Sequence, residues 1–170
     1  KGVGAQRPLM SRYCLDANIL IQAKNGPYGF DFFPAFWDWI DRIVADGAVY
    51  STVSVYDELV AGDDDLSEWV KRRQGEPMFV EPSAEVQARL SQIADFVIGD
   101  YEPQHADLFL AGADPWVIAQ AAHDGAYVVT HEVMVAPNAK KVKVPNICTQ
   151  FAVPYMDTYA MMRALGARFS

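Results

Sequence analysis

The 170-residue chain is 51% hydrophobic, enough apolar side chain for one ordinary domain to bury a core without metal or disulfide staples. Its 14 lysines and arginines against 22 aspartates and glutamates leave a formal charge of −8, which argues against a protein that grips nucleic acid through a basic surface. No stretch of about 18 uninterrupted apolar residues and no charged-then-apolar leader occurs, so a soluble, cytoplasmic protein without a membrane partner is expected.

Taken in chain order, the first nine residues lack periodicity, and residues 1–10 read as a tail or an appended remnant ahead of a domain spanning 11–170. Arg12-Tyr-Cys-Leu-Asp16 is a short apolar run closed by a carboxylate, and Asn18–Lys24 reads as a short helix stopped by Asn25-Gly26-Pro27. A helix is expected from near Pro34, with Phe36, Ile40, Ile43 and Val44 on one face and Asp46-Gly47 turning the chain. Ala48–Val53 reads as a strand, Ser54 as the cap of the next helix and Asp57 as its capping-box partner. Gly62 and the run Asp63-Asp64-Asp65, a solvated turn, precede a helical segment from Leu66 to Arg73, and another helix is expected from Ser83 to Ile98. Asp114-Pro115 opens a helix to about His123, since proline is tolerated at the first helical position, and Gly125 ends it. Ala126–Thr130 is a strongly apolar strand. A lysine-bearing loop, Asn138–Pro145, follows, then 146–148 and 153–156 flank a turn before a last helix from Thr158 to Leu165. Cys14 and Cys148, far apart in sequence, are expected to be reduced core residues.

Short apolar strands alternating with helices predict an α/β fold, a mainly parallel central sheet flanked by helices, with ligands gathered outside the carboxyl ends of the strands. Asp16 and Glu132 fall at or just beyond such ends, Glu58 on the helix after the second strand and Asp114 at a helix start. Each also has a plain structural explanation. Asp before Pro is an ordinary helix cap, and Glu58 and Glu132 taken singly read as surface acids. Asp16 is harder to dismiss, because a carboxylate ending an apolar run is desolvated unless a cation or hydrogen bonds stabilise it.

Four segments, Tyr13-Cys-Leu-Asp16-Ala-Asn18-Ile-Leu-Ile, Asp57-Glu58-Leu59, Ala113-Asp114-Pro-Trp-Val-Ile-Ala119 and Val128-Val-Thr130-His-Glu132, occur in the order and spacing of the PIN-domain nucleases. The chain resembles that family over nearly all of Ser11–Ser170. Its stretch from Asp16 to Trp39, with Ala23-Lys24-Asn25, looks like a PIN-like branch often found beside helix-turn-helix antitoxins. The resemblance implies a PIN-like three-layer sandwich in which Asp16, Glu58, Asp114 and Glu132 are the catalytic and metal-binding residues, taking Mg²⁺ or Mn²⁺. It implies that Asn18 and Thr130 orient those carboxylates and that Lys24 and His131 touch an RNA substrate. It further implies the toxin of a type II toxin–antitoxin pair, with an antitoxin protein as partner and a homodimer as its assembly. Bound divalent cations would reverse the sign a phosphate meets and so answer the charge objection. The chain departs from the family where Ala17 replaces the common small hydroxyl residue and Glu132 the common aspartate.

Lys140, Lys141 and Lys143 cluster near the expected site but also read as a solvated face, and Tyr28, Phe30, Phe32 and Phe33 could stack on bases. Two rival readings stay open. A haloacid-dehalogenase-type phosphohydrolase also begins with an aspartate ending a strand but wants a second acid two residues on, where this chain has Asn18. A PIN-like module could instead bind RNA or protein without catalysis.

Overall fold

The computed structural model describes residues 10–169, so the expected tail up to residue 9 lies outside the described residues. Five short strands, β1 (Tyr13–Leu15), β2 (Val49–Thr52), β3 (Phe79–Val80), β4 (Tyr127–Val129) and β5 (Tyr155–Met156), pair in the order β3-β2-β1-β4-β5, every pair parallel. Every residue of β1 and β2 is buried, as strands covered on both faces by helices must be. The expected mainly parallel, helix-flanked sheet is what the chain builds. Among the described residues the helices are α1 (Ala17–Asn25), α2 (Pro34–Ala45), α3 (Val53–Val60), α4 (Asp65–Lys71), α5 (Ala84–Asp100), α6 (Pro103–Ala111), α7 (Asp114–Asp124), α8 (Val144–Gln150) and α9 (Thr158–Ala164). None of them is long and apolar enough to cross a membrane.

The strand order fixes where a site can open. From β1 the chain winds outward through β2 to β3, then returns to the other side of β1 for β4 and β5. Connections leave the carboxyl ends of β1 and β4 in opposite directions, and a crevice forms where they part. Asp16 follows β1 directly, its backbone N–H donating to the Val129 carbonyl of β4 at 3.1 Å, so this carboxylate stands at the switch point itself.

Helix ends follow local chemistry, with one correction. Ser54 does not cap α3. The strand runs to Thr52, whose extended backbone lets its Oγ1 accept from the Val55 N–H at 3.4 Å, while Ser54 lies inside the helix and its hydroxyl pairs with that of Thr52 at 2.6 Å. A cap must precede the first helical residue, and here that position falls two residues earlier than the sequence suggests. The acidic run is more than a solvated turn: Asp64 caps α4 in a reciprocal box with Ser67 and takes the Lys24 ammonium at 3.0 Å. Gly125 ends α7 at φ 65°, the left-handed position that favours glycine. β3 and α6 had no counterpart in the sequence reading, and 146–148 lie in α8.

Phe36, Trp37 and Ile40 of α2 are buried, and two of the aromatics considered as base-stacking groups join them. Tyr28 stacks on Phe36 with centroids 4.2 Å apart and Phe30 on Trp37 at 4.0 Å, so both rings already have an aromatic face covered, while Phe32 stays exposed. Cys14 and Cys148 are both free and buried, as expected.

The dual role of Asp64 can be measured. Asp64→Ala should lower the free energy of unfolding in urea by about 1 kcal/mol, a typical loss for a cap, while Asp63→Ala should stay within about 0.5 kcal/mol of wild type. Equal effects at the two positions would contradict the capping geometry.

Candidate active site

Four carboxylates approach one crevice from four elements. Asp16, 1% exposed, is the N-cap of α1, and its Oδ1 accepts from the Ile19 N–H at 3.1 Å. It also takes hydrogen bonds from the Thr130 hydroxyl and the Asn18 backbone. Burial is the largest influence on it and carries its pKa from 3.8 to about 6, with those hydrogen bonds opposing and the Glu132 charge assisting. Glu58 reaches from α3 to accept the Ala113 N–H at 2.8 Å, and Glu132, in the loop after β4, accepts the Val144 N–H at the start of α8 at 2.7 Å.

Asp114 differs from these three. It is the first residue of α7 but not its cap: Ala113 holds that position, and no side chain bonds the free N–H groups there. Its own carboxylate makes no hydrogen bond among the described residues. Burial first, then the charges of Asp16, Glu132 and Glu58, raise its pKa from 3.8 to about 7, with Lys143 opposing. The simple capping role open to an Asp-Pro pair is therefore not the one the fold uses.

Glu58, Asp114 and Glu132 line a cavity of about 290 Å³ together with Asn18, Lys141 and Lys143. The predicted quartet thus meets at one place, and Asn18 and Thr130 stand beside it. Thr130 joins two of the acids, because its Oγ1 accepts from the Glu132 N–H at 3.1 Å while its hydroxyl serves Asp16. Two residues expected to touch substrate lie elsewhere. Lys24 pairs with Asp64 and with Asp65 at 3.6 Å, and that hydrogen-bonded pairing raises its pKa. His131 faces the opposite side of α1, its Nε2 3.1 Å from the Thr158 hydroxyl, in a cavity with Gln22, Tyr28 and Tyr159. Extended backbone alternates its side chains, so with Thr130 and Glu132 directed to the acids, the residue between them points away. The cleft also contains His105, Leu108 and Phe109 of α6, which sequence reasoning missed along with the helix that carries them.

The donor set is all oxygen, which suits a hard cation. Among the described residues, no group of three or more His, Cys, Asp or Glu side chains stands ready to hold a metal ion as a closed cage. Magnesium asks for less, one or two carboxylates with water and substrate phosphate filling the rest. Asp16 and Asp114, each pushed up by burial and by neighbouring negative charge, fit that demand, and a divalent cation beside them would relieve both influences.

A parallel sheet of this order with an acidic crevice at its switch point is the α/β three-layer fold of PIN domains. Over residues 13–169 the chain matches the family described as "Domain of unknown function (DUF4411)", and it belongs to that family. No curated protein matches it. Among solved structures it is similar to VapBC2 from Rickettsia felis bound to a DNA fragment from their promoter, with a TM-score of 0.51 and 11% identity over 85% of this chain and 97% of that one. It is likewise similar to FitAcB from Neisseria gonorrhoeae, with a TM-score of 0.51 and 17% identity over 86% of this chain and 98% of that one. FitAB bound to an IR36 DNA fragment gives a TM-score of 0.50 and 17% identity over 85% and 94%. At these identities the likeness is one of fold.

Because the folded value for Asp114 lies above its ordinary one, this carboxylate costs stability as pH rises past about 4, and fully so above about 7. Asparagine carries no such charge. In EDTA, Asp114→Asn should therefore melt above wild type at pH 8, with the gap narrowing toward pH 5. A gap independent of pH, or a less stable variant at pH 8, would show that Asp114 does not carry this electrostatic load.

Proposed function

We propose that the chain is a Mg²⁺- or Mn²⁺-dependent ribonuclease of the PIN type, acting as the toxin of a toxin–antitoxin pair. The observation that carries the reading is the acidic crevice, and within it Asp114, whose buried carboxylate has no hydrogen bond and is crowded by three other acids. Such a group is costly to keep charged unless a cation accompanies it. The likeness to the VapBC2 and FitAB structures supports the same reading, as does the order of the motifs.

Asp16 and Asp114 would hold the ion. When bound, it supplies Lewis-acid polarisation of a phosphate oxygen and lowers the pKa of attached water. The chain's own residues supply the rest. Glu58 has one oxygen fixed by the Ala113 N–H and the other available to take a proton from the attacking water. Glu132 is held in the same way by Val144, and its extra methylene over aspartate gives it the reach. Thr130 fixes the orientation of Asp16, a polar contact that Ala17 lacks the hydroxyl to make. Lys141 and Lys143 line the cavity and are the cations that would meet the phosphates, a role the structure favours for them over Lys24. Since no step uses the ribose 2′-hydroxyl, products would carry a 5′-phosphate and a 3′-hydroxyl.

The test is cleavage of RNA with Mg²⁺ or Mn²⁺ supplied. Asp16→Asn and Asp114→Asn should abolish it, and Glu58→Gln should cost at least about 100-fold, in the range lost with a general acid or base. Asp57→Asn, one residue from Glu58 but facing away from the cleft, should cost far less. Cleavage that persists in EDTA or in Asp114→Asn would reject the metal site. Release of phosphate from small phosphomonoesters in place of RNA cleavage would favour the phosphohydrolase. Expression that arrests growth, relieved by the product of an adjacent gene, would support the toxin role, and absence of arrest in the native host would count against it.

A further inference from the structure

A second cavity, of about 240 Å³, opens on the other side of α3, between the carboxyl ends of β2 and β3 and the outer face of α7. Its polar lining is Asp57, Glu81, Gln120 and the mutually bonded hydroxyls of Thr52 and Ser54, with the Trp116 ring as its aromatic wall. Trp116 and Gln120 are four residues apart on α7 and so share one face. Asp57 and Glu58 are neighbours on α3, where successive side chains diverge by about 100°, and they serve the two cavities separately.

One atom here points to a ligand. Gln120 is 7% exposed, and its amide nitrogen donates to Asp124 at 2.9 Å, which fixes the orientation of the amide. Its Oε1 is then left buried with no hydrogen-bond partner, the single such side-chain atom among the described residues. An orphaned acceptor of this kind costs stability unless something donates to it. The Asp57 and Glu81 carboxylates, both exposed, are in no ion pair among the described residues, and no lysine, arginine or histidine lines the cavity. The groups therefore offer acceptors, negative charge and an aromatic face. That combination repels phosphate and attracts a flat, multiply donating cation. The volume lies below the roughly 300–1,000 Å³ of drug-sized sites, which suits a head group on a stem better than a nucleotide.

We propose that this cavity binds a guanidinium group, the head of an arginine side chain presented by a protein partner. Guanidinium is planar, always charged, stacks on aromatic faces and carries five donors, so it can satisfy an amide oxygen and a carboxylate while lying on an indole. The chain contains its own example of the same chemistry. The Arg73 guanidinium lies 3.7 Å from the Trp69 ring centroid, donates to both oxygens of Asp41 at 2.7 and 2.6 Å, and reaches the Trp69 carbonyl at 2.6 Å. The second cavity presents those three kinds of partner without the cation. This inference does not depend on the nuclease reading.

The experiment titrates the full chain, labelled with ¹⁵N, with N-acetyl-arginine methylamide while following the Trp116 indole resonance, assigned with Trp116→Phe. The resonance should move saturably with a dissociation constant of about 1–10 mM, reasonable for one small head group. N-acetyl-lysine methylamide should bind more weakly. Glu81→Gln and Gln120→Met should each weaken binding by about tenfold, the loss expected of a charge-assisted hydrogen bond. Glu81 is exposed and Asp124 keeps its bond from Tyr50, so both variants should fold, which their melting curves would check. No saturable shift up to about 20 mM beyond that given by sodium chloride, or a shift unaltered in both variants, would overturn the proposal. Free L-arginine binding ten times more tightly than the capped form would overturn the protein partner and identify a small-molecule ligand.

Discussion

Like charge crowded into a partly dry crevice is the constraint from which the other features of this molecule follow. Moving the Asp114 pKa from 3.8 to about 7 represents a cost on the order of a few kcal/mol at neutral pH, against a total stability of roughly 5–15 kcal/mol for an ordinary domain. A fold carries such a burden only if the backbone holds the acids in place. Three of the four are held by backbone N–H groups at or near helix starts: Ile19 for Asp16, Ala113 for Glu58 and Val144 for Glu132. Helix N-termini have unpaired N–H groups and a favourable dipole, so they are places where carboxylates can gather without neutralising one another.

The sheet order explains why those helix starts converge. Parallel strands place every following connection at one edge, and the reversal between β1 and β4 leaves a gap there that is not filled by packing. Asp16 comes directly off β1, Thr130 and Glu132 off β4, Glu58 from the helix after β2, and Asp114 from the helix before β4. Proximity in space thus follows from strand order and not from closeness in sequence.

Much of this could be read from the residues alone where burial and periodicity act together. An apolar run closed by Asp16 and the Asp114-Pro115 helix start are local signals, and the parallel sheet follows from the alternation of elements. What escaped reading lacked such a signal. β3 has two residues, too few for any alternation, and α6 leaves Leu108 75% exposed, so its apolar residues form no clean buried stripe. The α3 cap moved to Thr52 because the end of β2 sets where a helix can begin. Lys24 could not be separated from its partners because Asp64 lies forty residues away, and long-range ion pairs leave no periodic trace. His131 was adjacent in sequence to a site acid, yet adjacency in extended backbone places side chains on opposite faces. Roles of individual residues in chemistry were legible only through resemblance, since a carboxylate at a helix start looks the same whether it caps or binds.

The net charge of −8 takes on a different meaning once the acids are located. Four of them face one cleft, where the neighbouring Lys141 and Lys143 mark the approach of an anion and the acids themselves call for a metal cation. Asp57 and Glu81 face a second cavity with no basic residue in its lining and an unpaired amide oxygen at its wall. Both cavities are built on α3 and α7, and adjacent residues on α3 divide between them. Acidity that argues against nucleic-acid binding when summed over the chain becomes compatible with it when partitioned, because a phosphate meets the local field and not the total. Whole-chain charge therefore excludes less than it first suggests: it constrains a protein with one uniform surface, whereas this one directs its carboxylates toward two cations of different kinds.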